Sequence, residues 1–213
     1  MDIKIISKFL KDYHWENVHI KGKEVYIFKH TSLNKINDEM LKKMLLFMPL
    51  ERQNKASRYK RKIDRKLCIV SYMLFVLAMQ KGFNLCGPYD FLFNENGKPF
   101  LKYFPEIYFS ISHCEVGVTC AIAEENVGID IQDMIPFNIK LAESICSKNE
   151  LEVINSSINK DLELTKIWTM KESYFKMLGT GLIEPLGNLD VYELDNFYQR
   201  INLKEKYVLS VAI

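Results

Sequence analysis

The sequence predicts an α+β fold of small, mainly antiparallel sheets packed with helices. Three observations carry that prediction. Segments with period-two alternation recur toward both ends of the chain, a strand, Asn-Gly turn, strand pattern sits in the middle, and segments with an apolar 3.6-residue period separate them. With 213 residues, 48% of them hydrophobic, the chain can build one large domain or two small ones around a sizeable core.

The elements follow in order. Glu24 to Lys29 alternates as a strand, and Asp38 to Met48 reads as a short amphipathic helix. A long helical segment runs from about Arg52 to Gln80, ended by Lys81-Gly82 and Gly87-Pro88. "YDFLF", a turn at Asn94-Glu95-Asn96-Gly97 and "KPFLKYF" form a hairpin pattern. Three strand candidates follow, "IYFSISH", "VGVTCAIA" and "VGIDIQ", which read as an antiparallel meander. Helices are expected at Ile139 to Ile145, Lys148 to Ile154 and Asp161 to Leu178, the last running into "GTGL". "LDVYEL" and "KYVLSVAI" are the terminal strand candidates, and a boundary near Pro105 divides the chain into 1–105 and 106–213.

Composition narrows the function classes. A net charge of +2 is too small for general nucleic-acid coating, so any basic function depends on where the charges sit. The five cysteines (Cys68, Cys86, Cys114, Cys120, Cys146) are odd in number and form no CxxC pair. That argues against a disulfide framework or a cysteine-rich zinc site, and fits a reducing cytoplasm. "MDIKIISKFLKDYHW" is broken by charge every few residues and does not read as a signal peptide. The longest apolar run, Leu67 to Met79, is shorter than the roughly 20 residues a bilayer requires, and reads as a buried helix.

Four places carry candidate chemistry. In "KIWTMKESYFKML", Lys171 falls in the middle of an apolar arc and Glu172 at its edge. Lys171 is either a snorkelling lysine or half of an amine–carboxylate pair held in a polar cleft. Asp130 and Gln132 share one strand face, and a helix packed there brings Glu172 toward both. Two carboxylates and an amide oxygen make a hard oxygen site suited to Mg²⁺; the plainer reading is that Asp130 caps the turn holding Asp133 and Pro136. In "SISHC", Ser112 and His113 lie on opposite strand faces, poorly placed as nucleophile and base, so His113 reads as a phosphate contact or a structural histidine. Arg58, Arg61, Lys62 and Arg65 recur at i, i+3, i+4 and i+7, as a solvated basic stripe or an anion site.

Five segments in series, "ERQNKASR" (51–58), "NGKPFL" (96–101), "FSISHC" (109–114), "VGIDIQ" (127–132) and "WTMKESYFKMLGTGL" (168–182), resemble the 4′-phosphopantetheinyl transferases of the surfactin-synthetase-activator type. That resemblance implies two pseudo-symmetric α/β halves with coenzyme A bound in a cleft between them. It implies Mg²⁺ held by Asp130, residue 132 and Glu172; a glutamine at 132 would then call for more Mg²⁺ or favour Mn²⁺. It places Lys171 at the diphosphate as a charge neutraliser, and Lys55, Arg58, Arg65, Ser112, His113 and Lys176 at the coenzyme. The Gly97-Lys98-Pro99 loop would lie near the adenine, and Glu150 of "CSKNE" is a candidate third acid or general base. The implied reaction moves phosphopantetheine from coenzyme A to a serine of an apo carrier protein, releasing adenosine 3′,5′-bisphosphate, in a monomeric enzyme that needs neither nucleic acid nor membrane.

Two residues depart from the family pattern. Gln132 stands where the family usually has glutamate, which removes a negative charge from the metal site, and Cys114 replaces the commoner serine. A non-catalytic module that binds coenzyme A or a carrier protein through a degenerate metal site is the main rival reading. A nucleic-acid binder using the basic stripe is the second.

Overall fold

Two antiparallel sheets stack face to face, each with a long helix on its outer side, in the computed structural model, which describes residues 3–183 and 185–213. The first sheet has the order β1 (His14–Ile20), β2 (Lys23–His30), β6 (Val118–Ala123), β5 (Tyr108–His113). The second has the order β7 (Gly128–Asp133), β9 (Tyr207–Ala212), β8 (Phe197–Asn202). A two-stranded hairpin, β3 (Phe91–Phe93) with β4 (Pro99–Leu101), turns at Gly97, whose φ of 83° belongs to the left-handed region. Helix α1 (Ile3–Phe9) opens the chain.

Strand alternation assigns the faces. On β6, Val118, Cys120 and Ile122 pack with helix α4 (Lys62–Phe83), while Ala121 and Ala123 join Val25 and Ile27 against the second sheet. On β7 and β9, Ile129, Ile131, Tyr207, Leu209 and Val211 fill the layer between the sheets. Gly128, Asp130 and Gln132 therefore face the other way, toward helix α7 (Lys160–Leu178). Helix α4, at 22 residues, is long and apolar enough to cross a bilayer, but every residue from Ile69 to Met79 is buried in this protein's own core.

Several expectations are corrected. The long segment from Arg52 is two helices, α3 (Leu50–Arg58) and α4, broken by extended residues Tyr59 and Arg61. A continuous helix would stack Arg58 on Lys62 and Arg61 on Arg65 at i, i+4, and like charges at that spacing oppose helix. The basic stripe is thus not one helical face. The meander is a β5–β6 hairpin only, since β7 leaves to pair with β9. The first sheet takes strands from both sides of Pro105: β5 pairs with β6, and β6 hydrogen-bonds on to β2. "LDVYEL" is not a strand. Side chains take its amides, Glu150 accepting from Val191 N and Asp190 from Tyr192 N, and the segment closes into a 3₁₀ turn at Val191–Glu193. β1 and β8, edge strands with few buried residues, lack clear alternation and escape a periodicity reading.

The remaining elements follow expectation: α2 (Asp38–Leu46), α5 (Ile139–Ile145), α6 (Lys148–Ser156) and α7, with Asn37, Asn138, Ser147 and Asn159 as side-chain N-caps.

Candidate active site

A glycine sets the approach of α7 to β7. A Cβ on Gly128 would stand 1.9 Å from the Ser173 carbonyl oxygen and 2.4 Å from Met177 N, so only glycine lets the helix rest on the strand backbone. Two residues along the same face, Asp130 then meets the next side chains of the helix. Its Oδ1 accepts from Lys176 Nζ at 2.5 Å and from Ser112 Oγ at 2.7 Å. Lys176 Nζ also lies 3.8 Å from Glu172 Oε2 and 3.2 Å from Ser112 Oγ.

Ser110 and Ser112 tie the two sheets together where β5 meets β7. Ile129 N donates to Ser110 Oγ at 3.1 Å and Ile131 N to Ser112 Oγ at 3.4 Å, so serine hydroxyls replace a backbone ladder at this seam. The cluster of Asp130, Glu172, Lys176 and Ser112 sits on it.

Asp130 is 4% exposed, yet its Oδ2 has no hydrogen-bond partner. A buried, unpaired carboxylate oxygen is costly unless another positive group completes it. Glu172 stands beside it with its pKa raised, first by burial and then by the Asp130 charge, against the opposing pull of Lys176. Gln132 lies on the same strand face at the half-buried end of β7. Among the described residues no three His, Cys, Asp or Glu side chains gather as a metal site. Two carboxylates with a free buried oxygen and a neighbouring amide are nonetheless a donor set that fits a hard divalent cation.

Glu172 and Lys176 line a cleft of about 290 Å³ whose floor is Phe109, Ile111 and Phe175 and whose rim is Gly97, Lys98, Pro99 and the "GTGL" loop, with Asp130 buried behind them against Lys176. The Gly97-Lys98-Pro99 turn does reach the cleft, but the Lys98 ammonium points elsewhere. It donates to the Met177 carbonyl at 2.7 Å, at the C-terminal end of α7, and burial lowers its pKa to about 8. Asn94 Nδ2 donates to Gly179 O at 2.8 Å, so the hairpin is clamped to the helix end.

Lys55 and His113 wall an adjoining cavity, together with Arg52, which sequence reasoning overlooked. His113 is exposed at the end of β5, and partial desolvation, then the Lys176 ammonium, hold its pKa below the usual histidine value. Arg58 and Arg65 are exposed and do not line either cavity; Arg65 reaches back to the Tyr59 carbonyl.

Lys171 and Glu150 are not brought to the cleft. Both side chains are 0% exposed and pair with each other at 2.9 Å. Lys171 also donates to the carbonyls of Leu186 and Leu189, while Glu150 accepts from Ser147 N and Val191 N. Every donor and acceptor is occupied in the core, so Lys171 cannot neutralise a diphosphate in the cleft and Glu150 cannot serve there as a base. The ammonium at the carboxylates is that of Lys176, five residues on.

Comparison with known proteins bears on what this cleft is for. The sequence profile of the 4′-phosphopantetheinyl transferase superfamily matches residues 126–211, the span holding β7, α7 and the carboxylate cluster. The 4′-phosphopantetheinyl transferase ffp of Bacillus subtilis is 30% identical over 161 residues, 73% of this chain and 71% of that protein. The chain belongs to the 4′-phosphopantetheinyl transferase family. A second Bacillus subtilis phosphopantetheinyl transferase is 29% identical over 76% of this chain and 74% of its own length. The phosphopantetheinyl transferase gsp of Aneurinibacillus migulanus is 37% identical over 53% of this chain and 48% of its own. This phosphopantetheinyl transferase is accordingly a transferase with an α+β architecture.

Proposed function

We propose that this phosphopantetheinyl transferase moves the 4′-phosphopantetheine group of coenzyme A to a serine of an apo acyl or peptidyl carrier protein, with Mg²⁺ dependence. The observation that carries this reading is the unpaired buried oxygen of Asp130, a carboxylate bonded to Lys176, which with Glu172 lines an open cleft. Asp130 and Glu172, with the Gln132 amide, are the residues that would hold the ion. When bound, Mg²⁺ supplies a hard Lewis acid at the phosphate oxygens.

The chain's own groups divide the rest of the chemistry. The carrier serine oxygen forms a bond to the β-phosphorus, the bond from that phosphorus to the bridging oxygen breaks, and adenosine 3′,5′-bisphosphate departs with the electron pair. Charge therefore grows on the bridge, and Lys176, only 31% exposed, offers a positioned ammonium to neutralise it. The serine proton passes to a carboxylate directly or through water, and Glu172 is the more accessible of the two. Ser112 fixes Asp130 and Lys176 in register through the seam between sheets. The apolar floor of Phe109, Ile111 and Phe175 accommodates the uncharged pantetheine arm.

Intact-mass measurement of apo carrier proteins incubated with the enzyme, coenzyme A and a Mg²⁺ series tests this. A mass gain of one phosphopantetheine that needs metal and is lost in Asp130→Ala is the expected result. Coenzyme A binding without any mass gain at any metal level would establish the rival binding module instead. We place the protein in the cytoplasm as a monomer on the reduced state of its five cysteines and on a cleft completed within one chain.

A further inference from the structure

Asp130 belongs to a polar row that crosses the second sheet beneath α7. Gln199 of β8 stands opposite Ser210 of β9, Ser210 stands opposite Asp130 of β7, and all three side chains bond to groups of the helix. Ser112 of β5 extends the row across the seam between the sheets. Helix α7 meets the row at two side chains two turns apart, Thr169 on Ser210 at 2.7 Å and Lys176 on Asp130 at 2.5 Å.

Each hydroxyl carries a single proton, and in this row the partners fix where each proton goes. Thr169 Oγ1 lies 3.0 Å from the Lys166 carbonyl, which can only accept, so the threonine proton points there. Thr169 Oγ1 is therefore the acceptor in its contact with Ser210, and the Ser210 hydroxyl donates to it. Gln199 Nε2 donates to the same Lys166 carbonyl at 3.3 Å and to Ser210 Oγ at 2.9 Å; the carbonyl decides which end of the amide is nitrogen. Thr169 and Ser210 are both fully buried.

The consequence falls on Asp130. Ser112 and Lys176 both donate to its Oδ1, and its buried Oδ2 receives nothing. Ser210 flanks β7 on the side away from Ser112, directly opposite Asp130 in the ladder. Cβ atoms of such partners are about 4.5–5.5 Å apart, near enough for a serine hydroxyl to turn onto a carboxylate. In this structure the hydroxyl is turned to Thr169 instead.

We infer that Thr169 is a positioning residue: by accepting the Ser210 proton it keeps the second oxygen of Asp130 free for a divalent cation. The inference rests on the function proposed above. An ionised carboxylate is a stronger acceptor than a hydroxyl, so a Ser210 deprived of Thr169 Oγ1 turns to Asp130. A cation then has to displace that hydrogen bond before it can use the oxygen.

The test compares Thr169→Val, which keeps the side-chain shape and removes the acceptor, with Ser210→Ala, which removes the donor, and with the two combined. Crystal structures of the metal-free variants should show Ser210 Oγ within hydrogen-bond distance of Asp130 Oδ2 in Thr169→Val. Calorimetric titration of the full chain with Mg²⁺ alone should show Thr169→Val weakening binding about tenfold, the scale of one hydrogen bond to a charged group. Ser210→Ala should bind as wild type does, and the double variant should recover to within about threefold of wild type. Thr169→Ser keeps the acceptor and should match wild type, while Thr169→Ala repeats the comparison where the valine variant fails to fold. Ser210 still turned away from Asp130 in both acceptor-free variants overturns the inference. So does a loss of Mg²⁺ affinity that persists in the double variant, since that loss comes from a shifted helix and not from a proton. A wild type that takes up no Mg²⁺, with Ser210 nonetheless turned onto Asp130 in Thr169→Val, would sink the metal reading and leave the proton assignment standing.

Discussion

Helix α7 carries two lysine–carboxylate clusters five residues apart, and they have opposite fates. Lys171 with Glu150 is sealed at 0% exposure, and each polar atom is paired, to the partner or to backbone. Lys176 with Asp130 and Glu172 is partly open to the cleft and leaves one carboxylate oxygen unpaired. A saturated buried pair joins three segments of chain, α6, α7 and the 186–191 loop, but has nothing left to offer a ligand. Chemistry requires the unsatisfied cluster.

Breaking each cluster should therefore give different readouts. The largest expected effect is Asp130→Ala, which should lower kcat/KM by on the order of 10³-fold, several kcal/mol of transition-state stabilisation, while the melting temperature changes by only a few degrees. Lys171→Met should do the reverse. It leaves the Glu150 charge buried and unpaired, a cost of about 3–5 kcal/mol, and should lower the melting temperature by on the order of 10 °C in a thermal melt. The double variant Lys171→Met, Glu150→Leu should recover part of that loss, because no buried charge is left over. Lys176→Ala should reduce kcat by about 10²-fold with little change in stability, since its ammonium is partly solvated; an equal loss of stability would erase the distinction between the two clusters.

Smaller effects sharpen the contrast. Gln132→Glu adds a third carboxylate to the Asp130 face and should lower the Mg²⁺ concentration for half-maximal binding about tenfold, read by calorimetry in the absence of substrate. No shift would remove residue 132 from the ligand set. His30 is a third case, buried at 2% exposure with both ring nitrogens unpaired. Burial lowers its pKa, against Asp12 and the Ser32 backbone, which raise it, and with Lys35 and His14 adding to the lowering. The unfolded chain then binds a proton that the folded chain refuses. Stability should fall as pH drops below the unfolded histidine value near 6.5, and His30→Phe should flatten that part of the profile in urea titrations.

Much of the site was legible in the sequence because it depends on short-range periodicity. Asp130 and Gln132 on one strand face, and Glu172 with Lys176 at i, i+4 on one helix face, follow from repeat lengths alone. The same reasoning left Lys171 open, because position in an apolar arc does not tell a lysine that reaches a cleft from one that meets a carboxylate on another helix; the resemblance put it at the diphosphate, whereas the structure pairs it with Glu150. Glu150 was nominated by the resemblance of "CSKNE" alone. Its capping-box role with Ser147 is visible in the "SKNE" spacing, but its second oxygen is claimed by Val191, 41 residues away. Arg52 lies within "ERQNKASR" but was not singled out there; its place over Phe91 depends on how the hairpin docks.

The sequence by itself determined the strand and helix faces and the turn at Gly97, since these are fixed by local stereochemistry and side-chain period. Tertiary structure alone decided which strands pair and which lysine meets which acid. Strand order followed from pairing across the gap between β2 and β6, not from nearness in the chain. The charged partners were chosen by burial, because a buried ammonium persists only where carboxylate and carbonyl oxygens from distant segments converge on it.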